Sequence, residues 1–269
     1  MTGSPPFAAD LAALAWLVEL GADEALAEAP VDRFALAEAS PAAAAPAPAR
    51  RREAPAAAAP PPAAPDPAQE SAALAAACGT IEELREAVAG FEGCALKKGA
   101  RTTVFADGNP RARLMVIGEG PGREEDLTGL PFVGRSGRLL DLMLAAIGLS
   151  RKSPDAETAV YITNVLPWRP PGNREPSSAE VAMLSPFLFR HIELKAPEAI
   201  LLLGSPATRT VLATSQGVAR MRGKWADWRG IPVMPTFHPA AVLRDPIKKR
   251  DVWGDLLMLS ERLEAGHGA

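Results

Sequence analysis

The chain has 269 residues, is 48% hydrophobic and carries a formal net charge of −3, so it holds enough apolar material for one sizeable core and appendages. Its two cysteines are too few for a disulfide framework, and we expect a protein of a reducing cytoplasm. The apolar run from Leu11 to Leu20 has no basic flank or cleavage site, and no stretch reaches the roughly 20 apolar residues that cross a bilayer. We therefore expect a soluble protein without a signal peptide.

Charge is unevenly distributed along the chain. Residues 1–90 hold 5 Lys or Arg against 13 Asp or Glu, whereas residues 91–269 hold 24 against 19. The excess of positive charge in residues 91–269 suits a polyanionic partner, although random scatter of surface charge explains it equally well.

Two segments are predicted to precede the main domain. Residues 1–37 carry apolar positions at helical spacing, which indicates an amphipathic helix that either packs on its own domain or docks a partner. Residues 38–70 are predicted to be a disordered linker, because 23 of the 30 residues from 40 to 69 are alanine or proline.

Residues 71–269 alternate between helix and strand patterns. A helical pattern from about 71 to 91 precedes a short strand at 102–105 and a turn at 107–110. Ser177 and Glu180 have the spacing of a capping box. Because strands alternate with helices, we predict an α/β fold of three layers, with helices on both faces of a central, mainly parallel four-stranded sheet. The strands are predicted at 114–117, 160–165, 199–203 and 231–237, and the later helices at 139–147, 177–194, 206–212 and 246–263.

The loop after the first of these strands has the sequence GEGPG at 118–122 and runs on through acidic residues to PFVG at 131–134. In an open α/β sheet, ligands bind outside the carboxyl ends of strands. Glycines let the backbone approach a ligand closely, and the acidic residues bring carboxylates to the same rim.

Two common phosphate-binding motifs are excluded for this loop. A dinucleotide fingerprint needs a third glycine where the chain has Arg123, and a P-loop needs a lysine, which does not occur between Lys98 and Lys152.

Three polar residues follow predicted parallel strands and are expected on one rim: Glu119, Asn164 and His238. Singly, each has a structural explanation, since an asparagine caps turns and a histidine can be hydrogen-bonded before a proline. Together, a carboxylate, an amide and an imidazole could polarise a water, read a planar heterocycle and stabilise negative charge on a leaving group.

These motifs resemble the uracil-DNA glycosylase superfamily, and most closely its family 4. The resemblance extends from about residue 88 to the last helix and implies a uracil-DNA glycosylase-like fold. It implies excision of a base that is flipped out of the DNA, because the glycosidic carbon cannot be reached in a stacked duplex. The matching segments are GEGPG at 118–122, ED at 125–126, PFVG at 131–134, YITNV at 161–165, RPPGNR at 169–174, TFHP at 236–239 and LR at 243–244.

The resemblance also implies roles for individual residues. Phe132 would stack on the flipped uracil, and Asn164 would bond its pairing edge. His238 would stabilise the departing uracil anion. Glu119 would activate the attacking water, because Gly120 stands where the family 1 enzymes carry an aspartate base.

Further residues are implied to contact the base or the DNA. Gly118 belongs to the base-binding loop, and Glu125 would stand near the base edge, where it could exclude the methyl group of thymine. Leu243 would fill the gap left by the flipped nucleotide. No lysine matches a pocket position, so no lyase step is expected. The residues implied to contact the DNA backbone are Arg174, Arg244, Lys248, Lys249 and Arg250.

One departure from the family concerns its iron–sulphur cluster, which family 4 enzymes hold through four cysteines. The matching positions here are Phe91, Cys94, Trp168 and Leu184. A single thiolate cannot hold such a cluster, so we predict that the protein has no cofactor and that the three large side chains fill the space as an apolar plug.

The sequence thus predicts a monomeric, monofunctional glycosylase of base-excision repair that releases uracil from double- or single-stranded DNA and leaves an abasic product. Hypoxanthine and xanthine are further candidate substrates. The alternative is a non-catalytic module on the same fold that binds uracil or abasic sites. A nucleotide-binding regulator is disfavoured because the chain lacks a phosphate loop.

Overall fold

The computed structural model describes residues 66–265, so the predicted amino-terminal helix and all but the end of the predicted linker lie outside the described residues. Within the described range, six strands form one sheet in the order β1-β3-β2-β4-β6-β5. In chain order they are β1 (Ala106–Gly108), β2 (Leu114–Gly118), β3 (Val160–Asn164), β4 (Ala199–Leu203), β5 (Ala226–Trp228) and β6 (Ile231–Thr236).

Helices precede, connect and follow these strands, and the first helix begins within the last residues of the predicted linker. They are α1 (Pro67–Ala77), α2 (Ile81–Gly90), α3 (Ala95–Gly99), α4 (Arg123–Thr128), α5 (Arg135–Ala145), α6 (Ser178–Lys195), α7 (Gly204–Val211), α8 (Val218–Met221), α9 (Pro239–Arg244) and α10 (Lys249–Ala265). Short 3₁₀ turns occupy Pro171–Asn173 and Pro246–Lys248. Within the described residues, no helix combines the length and the apolar character needed to cross a bilayer.

The four inner strands are parallel, as predicted. β2 lies between β3 and β4, and β4 pairs in turn with β6. The outer strands β1 and β5 are antiparallel to their neighbours and extend the predicted four-stranded sheet to six. The three-layer α/β fold with a mainly parallel sheet is therefore confirmed.

Helices cover both faces of the sheet. Because successive side chains of a strand point to opposite sides, each inner strand contributes to the core on both faces. Met115 and Ile117 of β2 belong to a buried cluster with side chains of α2, α6 and α7. Leu114 and Val116 belong to a second cluster with side chains of α5, α9 and α10. All residues of β2, β3 and β4 are buried, which explains the apolar runs at 114–117, 160–162 and 199–203.

The predicted strand at 102–105 is wrong, because the edge strand begins at Ala106. Residues before it are held by side chains instead of a ladder: Thr102 donates from Oγ1 to the carbonyl of Asp126 at 2.7 Å. Asp126 in turn accepts from the amide of Arg101 at 2.8 Å. The helical pattern from 71 to 91 likewise divides into α1 and α2, because Thr80 starts a new helix with a capping box to Glu83.

The capping box at the start of α6 is confirmed. Ser177 Oγ accepts from the amide of Glu180 at 3.2 Å, and the Glu180 carboxylate accepts from the amide of Ser177 at 2.8 Å. The predicted final helix at 246–263 consists of a 3₁₀ turn followed by α10.

Candidate active site

A cleft of about 520 Å³ opens at the carboxyl ends of the parallel strands. The structure brings Glu119, Asn164 and His238 together in this cleft, although each comes from a different strand end. Other predicted residues in its lining are Gly120, Glu125, Phe132, Arg174 and Arg244.

Asn164 supplies an amide on the floor of the cleft, at the end of β3. It lies opposite Gly118 of β2 and is only 7% exposed. Among residues 66–265, its Oδ1 is the single buried side-chain oxygen or nitrogen that has no hydrogen-bond partner. A buried acceptor of this kind is costly unless a ligand satisfies it.

Gly118 lies where only a glycine fits. A Cβ at this position would lie 2.5 Å from Oδ1 of Asn164 and 2.4 Å from Cζ of Phe132. The missing side chain therefore allows the amide and the aromatic ring to approach the same end of β2.

Phe132 supplies an aromatic face. Its ring centroid lies 5.5 Å from that of His238, with the two planes inclined by 32°. The backbone of Phe132 has a φ of 55°, a left-handed conformation that is unfavourable for a bulky residue. Residues in such conformations occur where the surroundings impose them, often at functional sites.

Glu119 supplies a carboxylate at the rim. Its backbone carbonyl accepts from the amide of Leu166 at 3.0 Å, which fixes the loop beside the residues after β3. Burial raises the pKa of the Glu119 carboxyl, and the charge of Glu175 raises it further, while Arg209 and Arg244 act in the opposite direction. A carboxylate that holds its proton more tightly is a better base at neutral pH, provided that it is ionised.

His238 supplies a neutral imidazole. Its Nδ1 accepts from the amide of Ala240 at 3.1 Å, so the ring hydrogen of the neutral form is on Nε2. Burial lowers the pKa of His238 to about 4, and Arg244 lowers it as well, against the opposing charge of Glu125. The residue is therefore a neutral hydrogen-bond donor at physiological pH.

Glu125 lines the cleft and also holds the backbone of the loop around Phe132. Its Oε1 accepts from the amides of Val133 and Gly134, both at 3.0 Å, and its Oε2 accepts from the amide of Gly122 at 3.1 Å. Since both oxygens accept from backbone amides, Glu125 braces the loop around Phe132. Its implied position near the base edge stays a prediction.

Of the residues predicted to contact DNA, Arg174 and Arg244 line the cleft and the others do not. Leu243 is 39% exposed on α9, and Lys249 and Arg250 are exposed at the start of α10, all outside the lining of the cleft. Arg174 and Lys248 are already paired, the first with Glu180 through two hydrogen bonds and the second with Asp245.

Two arginines at the rim were not predicted from the sequence. Arg123 and Arg135 are exposed first residues of α4 and α5 and line the cleft. Neither side chain has an acidic partner within the described part of the chain, so both are available to an anionic ligand. The signal that could have found them is their position directly after glycines of the GEGPG and PFVG segments, because helix amino termini attract phosphates.

The positions matched to the family 4 cluster ligands do not fit a metal centre. Phe91, Cys94, Trp168 and Leu184 are each only 1% exposed and belong to one hydrophobic cluster. Phe91 packs edge-on against Phe187, with the ring centroids 5.4 Å apart. Within residues 66–265, no group of three or more His, Cys, Asp or Glu side chains could hold a metal ion.

The comparisons with known proteins agree with this architecture. A family model described as the uracil DNA glycosylase superfamily matches residues 105–257, a range that includes all six strands of the described sheet and the residues Glu119, Asn164 and His238. The chain therefore belongs to the uracil DNA glycosylase superfamily.

Among its relatives are enzymes named type-4 uracil-DNA glycosylase. The one from Sulfurisphaera tokodaii is 35% identical over 191 residues, which cover 68% of this chain and 84% of the relative. The one from Saccharolobus solfataricus is 37% identical over 181 residues, covering 64% and 81%. The one from Thermotoga maritima is 39% identical over 167 residues, covering 61% and 84%. The resemblance to family 4 is thus confirmed.

Proposed function

We propose that this protein is a monofunctional DNA glycosylase that hydrolyses the bond between uracil and deoxyribose in DNA, in base-excision repair. The observation that carries the proposal is the unpartnered Oδ1 of Asn164, buried beside the ring of Phe132 in a cleft that also holds Glu119 and His238. The relatives named type-4 uracil-DNA glycosylase support the same substrate.

Recognition begins with a uracil that leaves the duplex and enters the cleft. Its ring stacks on Phe132, and Oδ1 of Asn164 accepts from N3–H while the amide nitrogen donates to O4. This pairing satisfies the buried acceptor that has no partner among residues 66–265. Cytosine presents an acceptor at N3 and a donor at its exocyclic nitrogen, so the same amide orientation rejects it.

Hydrolysis breaks the bond between N1 of uracil and C1′ of the sugar, and the bonding electrons move into the uracil ring. His238 donates from Nε2 to O2, where the negative charge develops. A water adds to C1′ and transfers a proton to the Glu119 carboxylate. The uracil anion then takes up a proton from solvent, and Glu119 later releases its own. The products are uracil and an abasic site, and no covalent intermediate with the protein is needed.

We also propose that this activity needs no iron–sulphur cluster. Three of the four positions matched to the ligands carry large apolar side chains that are buried in the core. The space beside Leu184 and Phe187 is a cavity of only about 20 Å³, room for roughly one water molecule. The packing of these side chains supplies the burial energy for this region, and we expect a colourless monomer.

The substrate range is open to a direct comparison. Hypoxanthine presents N1–H and O6 with the same donor and acceptor arrangement as N3–H and O4 of uracil, so Asn164 suits it, and xanthine is similar. A panel of duplexes and single strands with one uracil, hypoxanthine, xanthine or thymine would show which bases are released.

Release of free uracil from a labelled oligonucleotide with a single uracil tests the proposed function. We expect complete release at enzyme excess and none from the thymine control. Tight binding of the uracil oligonucleotide without release would instead favour the non-catalytic module.

A further inference from the structure

The segment that carries Phe132 is held in an unfavourable backbone conformation by several neighbouring residues. Phe132 has a φ of 55°. A Cβ at Gly137, in the first turn of α5, would lie 1.7 Å from the carbonyl oxygen of Phe132. The carbonyl is thus pressed against the helix, and the ring faces the cleft.

Arg151, in the connection between α5 and β3, binds the carbonyls of this segment. One guanidinium nitrogen, Nη1, donates to the carbonyl of Pro131 at 2.8 Å, and the other, Nη2, donates to the carbonyl of Phe132 at 3.0 Å. A planar guanidinium can bind two neighbouring carbonyls in this way, whereas an ammonium cannot reproduce the fork.

Two carboxylates fix the guanidinium itself. Asp141 accepts from Nε of Arg151 at 2.8 Å, and Asp107 accepts from Nη1 at 3.0 Å. The Arg151 side chain is only 7% exposed, whereas Asp107 and Asp141 are partly exposed. Both bonds join charged partners. Asp107 belongs to the edge strand β1, which gives that strand a role at the site.

The amides of the same segment are bound from another direction. Glu125 accepts from the amides of Val133 and Gly134, both at 3.0 Å. The carbonyls before the bend and the amides after it are therefore both held by buried or half-buried charges, which leaves the backbone at Phe132 little freedom to relax.

We propose that Arg151 is a positioning residue for base excision: it holds Phe132 in the left-handed conformation that presents its ring to the flipped base. The inference rests on the proposed function. Arg151 lies behind the stacking platform, does not line the cleft and is not expected to contact DNA.

The test compares Arg151→Lys with Arg113→Lys. Arg113 is a suitable control because it is also buried, bonds to Glu157, Glu198 and the carbonyl of Leu263, and precedes the amino end of β2, the opposite end of the sheet from the cleft. Both variants should lower the melting temperature. We expect only Arg151→Lys to slow single-turnover excision, by roughly 10- to 100-fold, because small misplacements of binding groups have effects of this size.

A double-mutant cycle with Phe132→Ala separates positioning from general stability. If Arg151 acts through Phe132, Arg151→Lys should reduce the rate little further in the Phe132→Ala background. An equal reduction in both backgrounds would overturn the inference, as would an Arg151→Lys variant that melts lower but excises at the wild-type rate.

A milder variant and a binding measurement keep the test decisive. Asp141→Asn weakens one hydrogen bond of Arg151 at a partly exposed carboxylate, and we expect a smaller effect in the same direction. The preference for uracil over thymine duplexes in equilibrium binding should fall with both Arg151→Lys and Asp141→Asn. An unchanged binding preference would overturn the inference about Arg151. Failure of the wild type to release uracil would instead refute the proposed function, and the binding comparison would still test Arg151.

Discussion

The amide of Ala240 donates to Nδ1 of His238 at 3.1 Å and thereby fixes which nitrogen of the imidazole carries the hydrogen. Because the pKa of His238 is lowered to about 4, chiefly by burial, the ring stays neutral and Nε2 remains a donor throughout the physiological range. A fixed donor aimed at the leaving base stabilises the transition state more than the bound substrate.

His238→Ala should therefore slow single-turnover excision by roughly 10²–10³-fold, while affinity for uracil DNA changes little. His238→Gln offers a matched control, since its amide can still donate a hydrogen bond, and it should retain part of the rate. Equal losses in affinity and rate for His238→Ala would show that the residue binds the substrate instead of stabilising the leaving group.

Glu119→Gln should reduce the excision rate by roughly 10²-fold or more, because the amide keeps the shape of the side chain and removes the base. The pKa of Glu119 is raised by burial, and the residue acts as a base only when ionised. The wild-type rate should thus fall as the pH is lowered through that pKa, at a pH above the ordinary glutamate value of about 4.3.

The pH profile distinguishes this role from a structural one. Glu119→Gln should lose the acidic limb of the profile as well as the rate. If the Gln variant excises at nearly the wild-type rate, Glu119 only braces the loop.

The two rim arginines, Arg123 and Arg135, should bind phosphates of the DNA backbone. Substitution of either by alanine should weaken binding to duplex DNA irrespective of sequence, and should reduce the slope of log affinity against log salt by about 0.9 for each phosphate that is no longer neutralised. Arg174→Ala is the comparison, because Arg174 is already paired with Glu180. We expect a smaller change in slope for it; a larger one would place the DNA on the other side of the cleft.

The sequence was sufficient for the parts of the site that lie at strand ends. We could predict that one rim holds Glu119, Asn164 and His238, because the carboxyl ends of neighbouring parallel strands lie at the same edge of a sheet. The continuous apolar runs predicted the buried strands for a related reason: both faces of the sheet are covered.

The edge strands were harder to predict, because each has only three residues and no periodicity is measurable at that length. β5 and β6 are joined by Arg229 and Gly230, with φ values of 52° and 87°. A two-residue turn of this kind usually has the sequence Asn-Gly or Asp-Gly. Because arginine takes the first position here, the sequence does not predict the turn.

The support of Phe132 was also hidden in the sequence. Arg151 binds Asp107, which is 44 residues away in the chain, and Glu125 binds amides eight and nine residues ahead of it. Interactions of this kind depend on how loops fold over the sheet, and side-chain patterns do not encode them locally.

The plug that occupies the positions matched to the cluster ligands should contribute strongly to stability. Phe91→Ala should lower the free energy of unfolding by about 3–5 kcal/mol, because the ring is fully buried and its removal leaves a cavity. Leu142→Ala, at a side chain that is 69% exposed, should change it by less than about 0.5 kcal/mol. Denaturant unfolding of both variants makes the comparison, and a negligible effect of Phe91→Ala would refute the plug.

Whether the protein excises uracil without a cluster is tested by measuring iron content and single-turnover uracil release in one preparation of the 269-residue chain. We expect a colourless protein with far less than one iron per chain that releases all the uracil from a single-uracil duplex, before and after treatment with a chelator. A brown preparation whose excision is lost with its iron, or a metal-free preparation that binds the duplex and releases no uracil, would contradict it.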